Sequence, residues 1–161
     1  MNSSTGDIRP TVRSAGAVRD RILEEHRAIR AHLLKVQGLV PGAARGIPGT
    51  YHDLVEAASD LVRTFRAHLA TEDRVLAPVL ETIDAWGPVR RERLEDEHRR
   101  QREELEALAE QLRNADRFDP DLVAAVDALV AELLADMEEE RHVLSDQLLR
   151  DDVVVVGQTD G

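Results

Sequence analysis

Residues 61–79 read Leu61-Val62-Arg63-Thr64-Phe65-Arg66-Ala67-His68-Leu69-Ala70-Thr71-Glu72-Asp73-Arg74-Val75-Leu76-Ala77-Pro78-Val79. Leu61, Phe65, His68, Glu72, then Val75 or Leu76, then Val79 recur at spacings of three and four, the period of one helix face. That face is apolar at both ends and carries an imidazole and a carboxylate in its middle. Pro78 denies Arg74 a backbone hydrogen bond, which predicts a kink in the helix at this point.

The same interruption recurs along the chain. The first core row is Ile22, His26, Ile29, Leu33, Val36. A third is Leu94, His98, Gln101, Leu105, Leu108, Leu112, and a fourth is Leu122, Val126, Leu129, Leu133, Asp136, Glu140, Val143. Every row therefore holds at least one metal-capable residue among its apolar positions: His26, His68, Glu72, His98, Asp136 and Glu140. Counting from the breakers, with a helical rise of about 1.5 Å per residue, sets the third and fourth rows level to within about a turn. The first and second rows come level if the second helix begins near Leu54. His32 and His142 fall on outward faces, and His52 opens the second helix on the surface.

Breakers divide the chain into four helical segments: about 17–40, ending at Pro41-Gly42; about 50–85, stopping at Trp86-Gly87-Pro88; about 89–115; and a last one running to about Arg150. Asp119 is an N-cap for the fourth, with Pro120 at its first helical position. Long helices with short connections predict an all-α, antiparallel up-down-up-down four-helix bundle. Residues 1–16 read as a mobile segment, 17–150 as the bundle and 151–161 as a tail. Val153-Val154-Val155-Val156 is the only β-prone run; it reads first as a frayed tail, with a short strand that docks on a protein partner as the alternative.

Composition narrows the class of function. The 161 residues suit one domain with a proper core. With 21 basic against 32 acidic residues, the net charge of −11 argues against a nucleic-acid partner. The absence of cysteine removes thiolate ligands and a thiol nucleophile. No segment has the apolar length of a signal peptide or membrane span, so a soluble cytoplasmic domain is expected. There is no Gly-rich phosphate loop, no nucleophile elbow and no aromatic cluster for stacking bases.

The chain also repeats itself. Leu23-Glu24-Glu25-His26 parallels Glu95-Asp96-Glu97-His98, with Ile22/Leu94 and Leu33/Leu105 in register. His68-x-x-x-Glu72 followed by Val75-Leu76 parallels Asp136-x-x-x-Glu140 followed by Val143-Leu144. One helical hairpin is used twice, facing itself across a pseudo-twofold axis.

A histidine on the first helix, His-x-x-x-Glu on the second, and the repetition of both elements resemble the hemerythrin-like family of HHE cation-binding domains. Glu72-Asp73-Arg74-Val75-Leu76-Ala77-Pro78 is similar to that family's acidic-pair, apolar, proline signature. The resemblance implies a non-haem iron centre of two ions, with manganese as another hard ion it accepts. It carries His26, His68 and His98 onto imidazole ligand positions, and Glu72 and Glu140 onto bridging carboxylates. Asp136 stands where the pattern has histidine, and Arg102 where animal hemerythrins carry a further one. Three carboxylates nearly balance two divalent ions, and unfilled coordination positions suit a small diatomic or peroxide ligand in sensing, storage or detoxification. Two other readings stand beside it. One is a single ion with the remaining groups hydrogen-bonded around it. The other is a metal-free bundle, its buried carboxylates held by raised pKa values or by Arg102, that acts as an interaction module through its acidic faces or its tail.

Overall fold

The structure, a computed structural model, describes residues 14–144 and Leu149. The expectations placed on the N-terminal segment, on the side chain of Val143 and on the tail at 151–161 lie outside the described residues. Five helices follow in order: α1 (Ala15–Ala44), α2 (Thr50–Val75), α3 (Ala77–Ile83), α4 (Gly87–Arg113) and α5 (Pro120–Val143). α3 continues α2 beyond a break, so the fold is an antiparallel four-helix bundle with no strand among the described residues. α1 packs on α2 and α5, and α4 packs on α2, α3 and α5.

Three boundaries differ from the sequence reading. α1 does not stop at Pro41-Gly42 but carries both residues in its last turn. A proline there removes only one hydrogen bond, while the extra turn buries Ala43 completely. Gly42 also lets the start of α2 approach, since a β-carbon on it would lie 3.1 Å from Thr50 Cγ2. The chain then reverses through Gly46 and Gly49, whose positive φ angles of 67° and 84° suit glycine. The longer α1 levels the first two rows without a later start for α2: His26 stands as far before Ala44 as His68 stands after Thr50.

The expected single helix over 50–85 is two. α2 ends at Val75, Leu76 joins it to α3, and Pro78 sits in the first turn of α3, where a missing N–H breaks nothing. The break chooses between two core candidates, because Leu76 is buried whereas Val75 and Val79 are only partly so. α5 ends at Val143 rather than near Arg150. Leu144 leaves helical geometry at ψ 13° and is buried in the apolar cluster at that end of the bundle. The cap of α5 is as read, with the Asp119 side chain accepting from the Asp121 N–H at 2.9 Å.

Two apolar clusters fill the bundle. One holds Ile29, Leu33, Leu61, Phe65, Leu105 and Leu133 among others; the second holds Val18, Ile22, Leu76, Leu80, Leu94 and Leu144. The sequence repeat survives in this partition: Leu33 and Leu105 share the first cluster, while Ile22/Leu94 and Leu76/Leu144 share the second. Between the clusters every long helix supplies a polar residue to one layer.

Candidate metal centre

That layer contains His26 of α1, His68 and Glu72 of α2, His98 and Gln101 of α4, and Asp136 and Glu140 of α5. The three imidazoles, Glu72 and Gln101 are buried, with Glu72 only 1 % exposed. Asp136 and Glu140 are half-buried. His26, His68, Glu72 and Glu140 each direct one ligand atom to a common point, all within 4.8 Å of one another. His26 Nε2 lies 3.1 Å from His68 Nε2, 3.3 Å from Glu72 Oε1 and 3.4 Å from Glu140 Oε2. His68 Nε2 lies 3.1 Å from the same Glu72 oxygen.

Glu72 is the hub. Its Oε1 faces His26 and His68, and its Oε2 faces His98 Nε2 at 3.0 Å. Burial pushes its carboxyl pKa up, but hydrogen bonds with the three imidazoles outweigh that and hold it well below the usual carboxylate range. Glu140 goes the other way. Burial, then the negative charge of Glu72, drive it well above its ordinary value. Its Oε1 is buried with no hydrogen-bond partner.

Two carboxylates that the sequence reading did not single out orient the imidazoles from behind. Glu25 Oε2 lies 3.0 Å from His68 Nδ1, and Asp73 Oδ1 lies 2.6 Å from His98 Nδ1. Each Nδ1–H donates to its carboxylate, which leaves Nε2 as the atom facing the centre. Glu25 accepts from Arg21 Nε at 3.2 Å, and Asp73 is bound by Arg102. The Arg102 side chain is therefore engaged at the surface by Asp73 and pairs no carboxylate of the buried layer, whereas the raised Glu140 is the other way a metal-free core can hold its carboxylates. Glu25 and Asp73 directly neighbour His26 and Glu72, but each serves a histidine on a different helix. Only the adjacency, not the pairing, is visible in one dimension.

The remaining candidates are placed as follows. His98 reaches Glu72 but is not among the four converging donors. Asp136 turns toward α4, where its Oδ2 accepts from Arg100 Nη2 and Gln101 Nε2, each at 3.0 Å. His52 and His142 are exposed, and His32 is half-buried on α1 away from the cluster. A cleft of about 520 Å³ between α1 and α5 opens onto His26, lined by buried Met137 and by exposed Arg27, Arg30 and Arg141.

The donor chemistry calls for a cation. With Nδ1–H committed to Glu25 or Asp73, neutral His68 and His98 present bare Nε2 lone pairs to bare oxygens of Glu72 at 3.1 and 3.0 Å. Acceptor facing acceptor at that distance is repulsive unless a proton or a metal ion lies between them. Without metal the proton takes that place. Burial lowers the pKa of both imidazoles, but the hydrogen bonds to Glu72, with those to Glu25 and Asp73, raise each above its ordinary value. With metal, adjacent ligand atoms about 2.1 Å from one ion stand about 3 Å apart, close to the spacings found. The orphaned Glu140 Oε1 supplies a further donor. The residues fit a bound hard cation.

A four-helix bundle with an internal cluster of histidine and carboxylate ligands defines a class of metal-binding helical domains. Residues 17–148 match the family model of the hemerythrin HHE cation binding domain, and the chain belongs to that family. No curated protein and no solved structure matches the chain. No helix among the described residues is long and apolar enough to cross a membrane.

Proposed function

We propose that the chain binds iron in the bundle core through His26, His68, Glu72, His98 and Glu140, with Asp136 of the same layer engaged by Arg100 and Gln101, and presents it to O2, peroxide or NO. The observation that carries this reading is the convergence of four donors from three helices in a layer sealed by apolar clusters on both sides. Bound iron supplies open coordination positions and a change of redox state, which small ligands of this kind require. Glu25 and Asp73 hold His68 and His98 in the tautomer that offers Nε2. The cleft at His26 gives small molecules a route in, and the apolar clusters keep bulk water from the other sides.

The test is reconstitution with ferrous iron under anaerobic conditions, desalting and elemental analysis, followed by melting with and without chelator. Stoichiometric iron and a melting temperature that drops on chelation are expected. Iron at background, with melting indifferent to chelator, contradicts the proposal.

The pH dependence gives an independent readout. In the metal-free protein His68 and His98 are raised, so their contribution is complete below about pH 6.5 and fades as pH climbs through their folded values. Glu140 is also raised, so the unfolded chain sheds its proton first and stability falls above about pH 4.5. The lowered Glu72 contributes above that same value and is lost in stronger acid. Metal-free protein should thus melt highest near about pH 5–6 and lower at pH 8. Metal binding displaces the protons, so the gap between loaded and chelated protein should widen as pH rises.

Glu25→Gln and Asp73→Asn test the orienting carboxylates. Each should weaken metal affinity by about 10–100-fold while leaving the far-ultraviolet circular dichroism unchanged. Affinity equal to wild type in both would mean that the imidazoles need no support from behind.

A further inference from the structure

The two halves of the polar layer correspond position for position: Glu25-His26 with Glu97-His98, His68 with Asp136, Glu72 with Glu140. Their surroundings do not correspond. In the first half Glu25 clamps His68 at 3.0 Å, and His68 Nε2 points into the cluster with His26, Glu72 and Glu140. In the second half the matching residue, Asp136, turns to α4 and is not among the converging donors. Its Oδ2 receives Arg100 and Gln101, each at 3.0 Å. Arg100 is itself anchored by Glu104 at 3.1 Å and by Glu132. Turning Asp136 inward therefore breaks a connected network rather than one bond, and its side chain is shorter than the imidazole it replaces. Glu97, the counterpart of Glu25, meets no imidazole; the Gln101 amide lies 3.5 Å away.

We infer that the centre loads two ions unequally: the first sits among His26, His68, Glu72 and Glu140, and the second is held more weakly by His98 with the remaining oxygens of Glu72 and Glu140. Asp136 is withheld from the second position by Arg100 and Gln101. This rests on the metal-binding reading above. The imbalance is a property of this chain's own residues, since the four converging donors leave out both His98 and Asp136. Glu140 Oε1, buried and unpartnered, remains available to the second ion.

The experiment is an anaerobic titration with ferrous ion alone on full-length wild type, Asp136→His and Arg100→Gln, bound metal being counted by equilibrium dialysis and elemental analysis. Wild type should fill in two steps separated by about tenfold or more in free ion, the size of effect that a missing ligand orientation produces. Asp136→His restores an imidazole with Glu97 in place to hold its Nδ1–H, and should tighten the second step by about tenfold without moving the first. Arg100→Gln alters a side chain 42 % exposed, so it preserves the fold if the histidine variant does not. It releases Asp136 and should narrow the gap in the same direction. Two ions entering wild type together overturn the inference, as does a gap that neither variant narrows, and both results leave the metal-binding reading standing. No bound ion in any of the three proteins overturns both.

Discussion

Glu72→Ala should bring bound metal down to background and also destabilise the protein that carries no metal. The two effects have different causes. The carboxylate offers Oε1 to the side shared by His26 and His68 and Oε2 to His98, so its removal takes a ligand from every part of the centre. In the metal-free protein the same carboxylate is the buried counter-charge that keeps imidazole protons in an apolar layer. Breaking a buried pair by deleting one partner costs about 3 kcal/mol or more. Glu72→Gln separates the two effects, because it keeps the side-chain volume and one acceptor while removing the charge. Elemental analysis and melting of chelated protein check both variants. An alanine variant that still carried stoichiometric metal would place the ion somewhere other than this layer.

The second large effect is on folding. Phe65 is 2 % exposed and packs edge-on against His68 with ring centroids 5.8 Å apart, at the boundary between the larger apolar cluster and the polar layer. Phe65→Ala should cost about 3–5 kcal/mol through lost transfer energy and the cavity left behind. For a chain of this size that lowers the melting temperature by about 10 °C. Leu34→Ala, on the same bundle but 48 % exposed, should stay within about 0.5 kcal/mol of wild type. Thermal melts of the chelated proteins compare the two. Similar melting for both would mean that the cluster around Phe65 relaxes to close the gap.

The architecture was legible because helix formation and burial are local in sequence. Rows at spacings of three and four put Ile22, Ile29, Leu33, Phe65, Leu105 and Leu133 in the core. They also took in the partly buried Val79 and left out the buried Leu69, Val130 and Met137. Asp119-Pro120 marked the start of the last helix. The helix break before Pro78 places that proline in the first turn of α3, where its missing N–H has no bond to lose. Pro41 shows the limit of such reasoning. A proline in the last turn loses little, so the burial of Ala43 decides where α1 ends.

What the sequence determined by itself is therefore the four amphipathic rows, the polar residues interrupting each of them, and the repeat that sets those interruptions in matching places. Spacing along one helix is enough for that, since it fixes which side chains share a face. Only the tertiary structure decided which polar atoms meet. His68 is held by Glu25 of another helix, His98 by Asp73, and Asp136 is drawn to Arg100 and Gln101 instead of to Glu140. Those choices depend on the rotation and depth of packed helices. There, a shift of one residue position, about 1.5 Å along the axis and 100° around it, exchanges one hydrogen-bond partner for another.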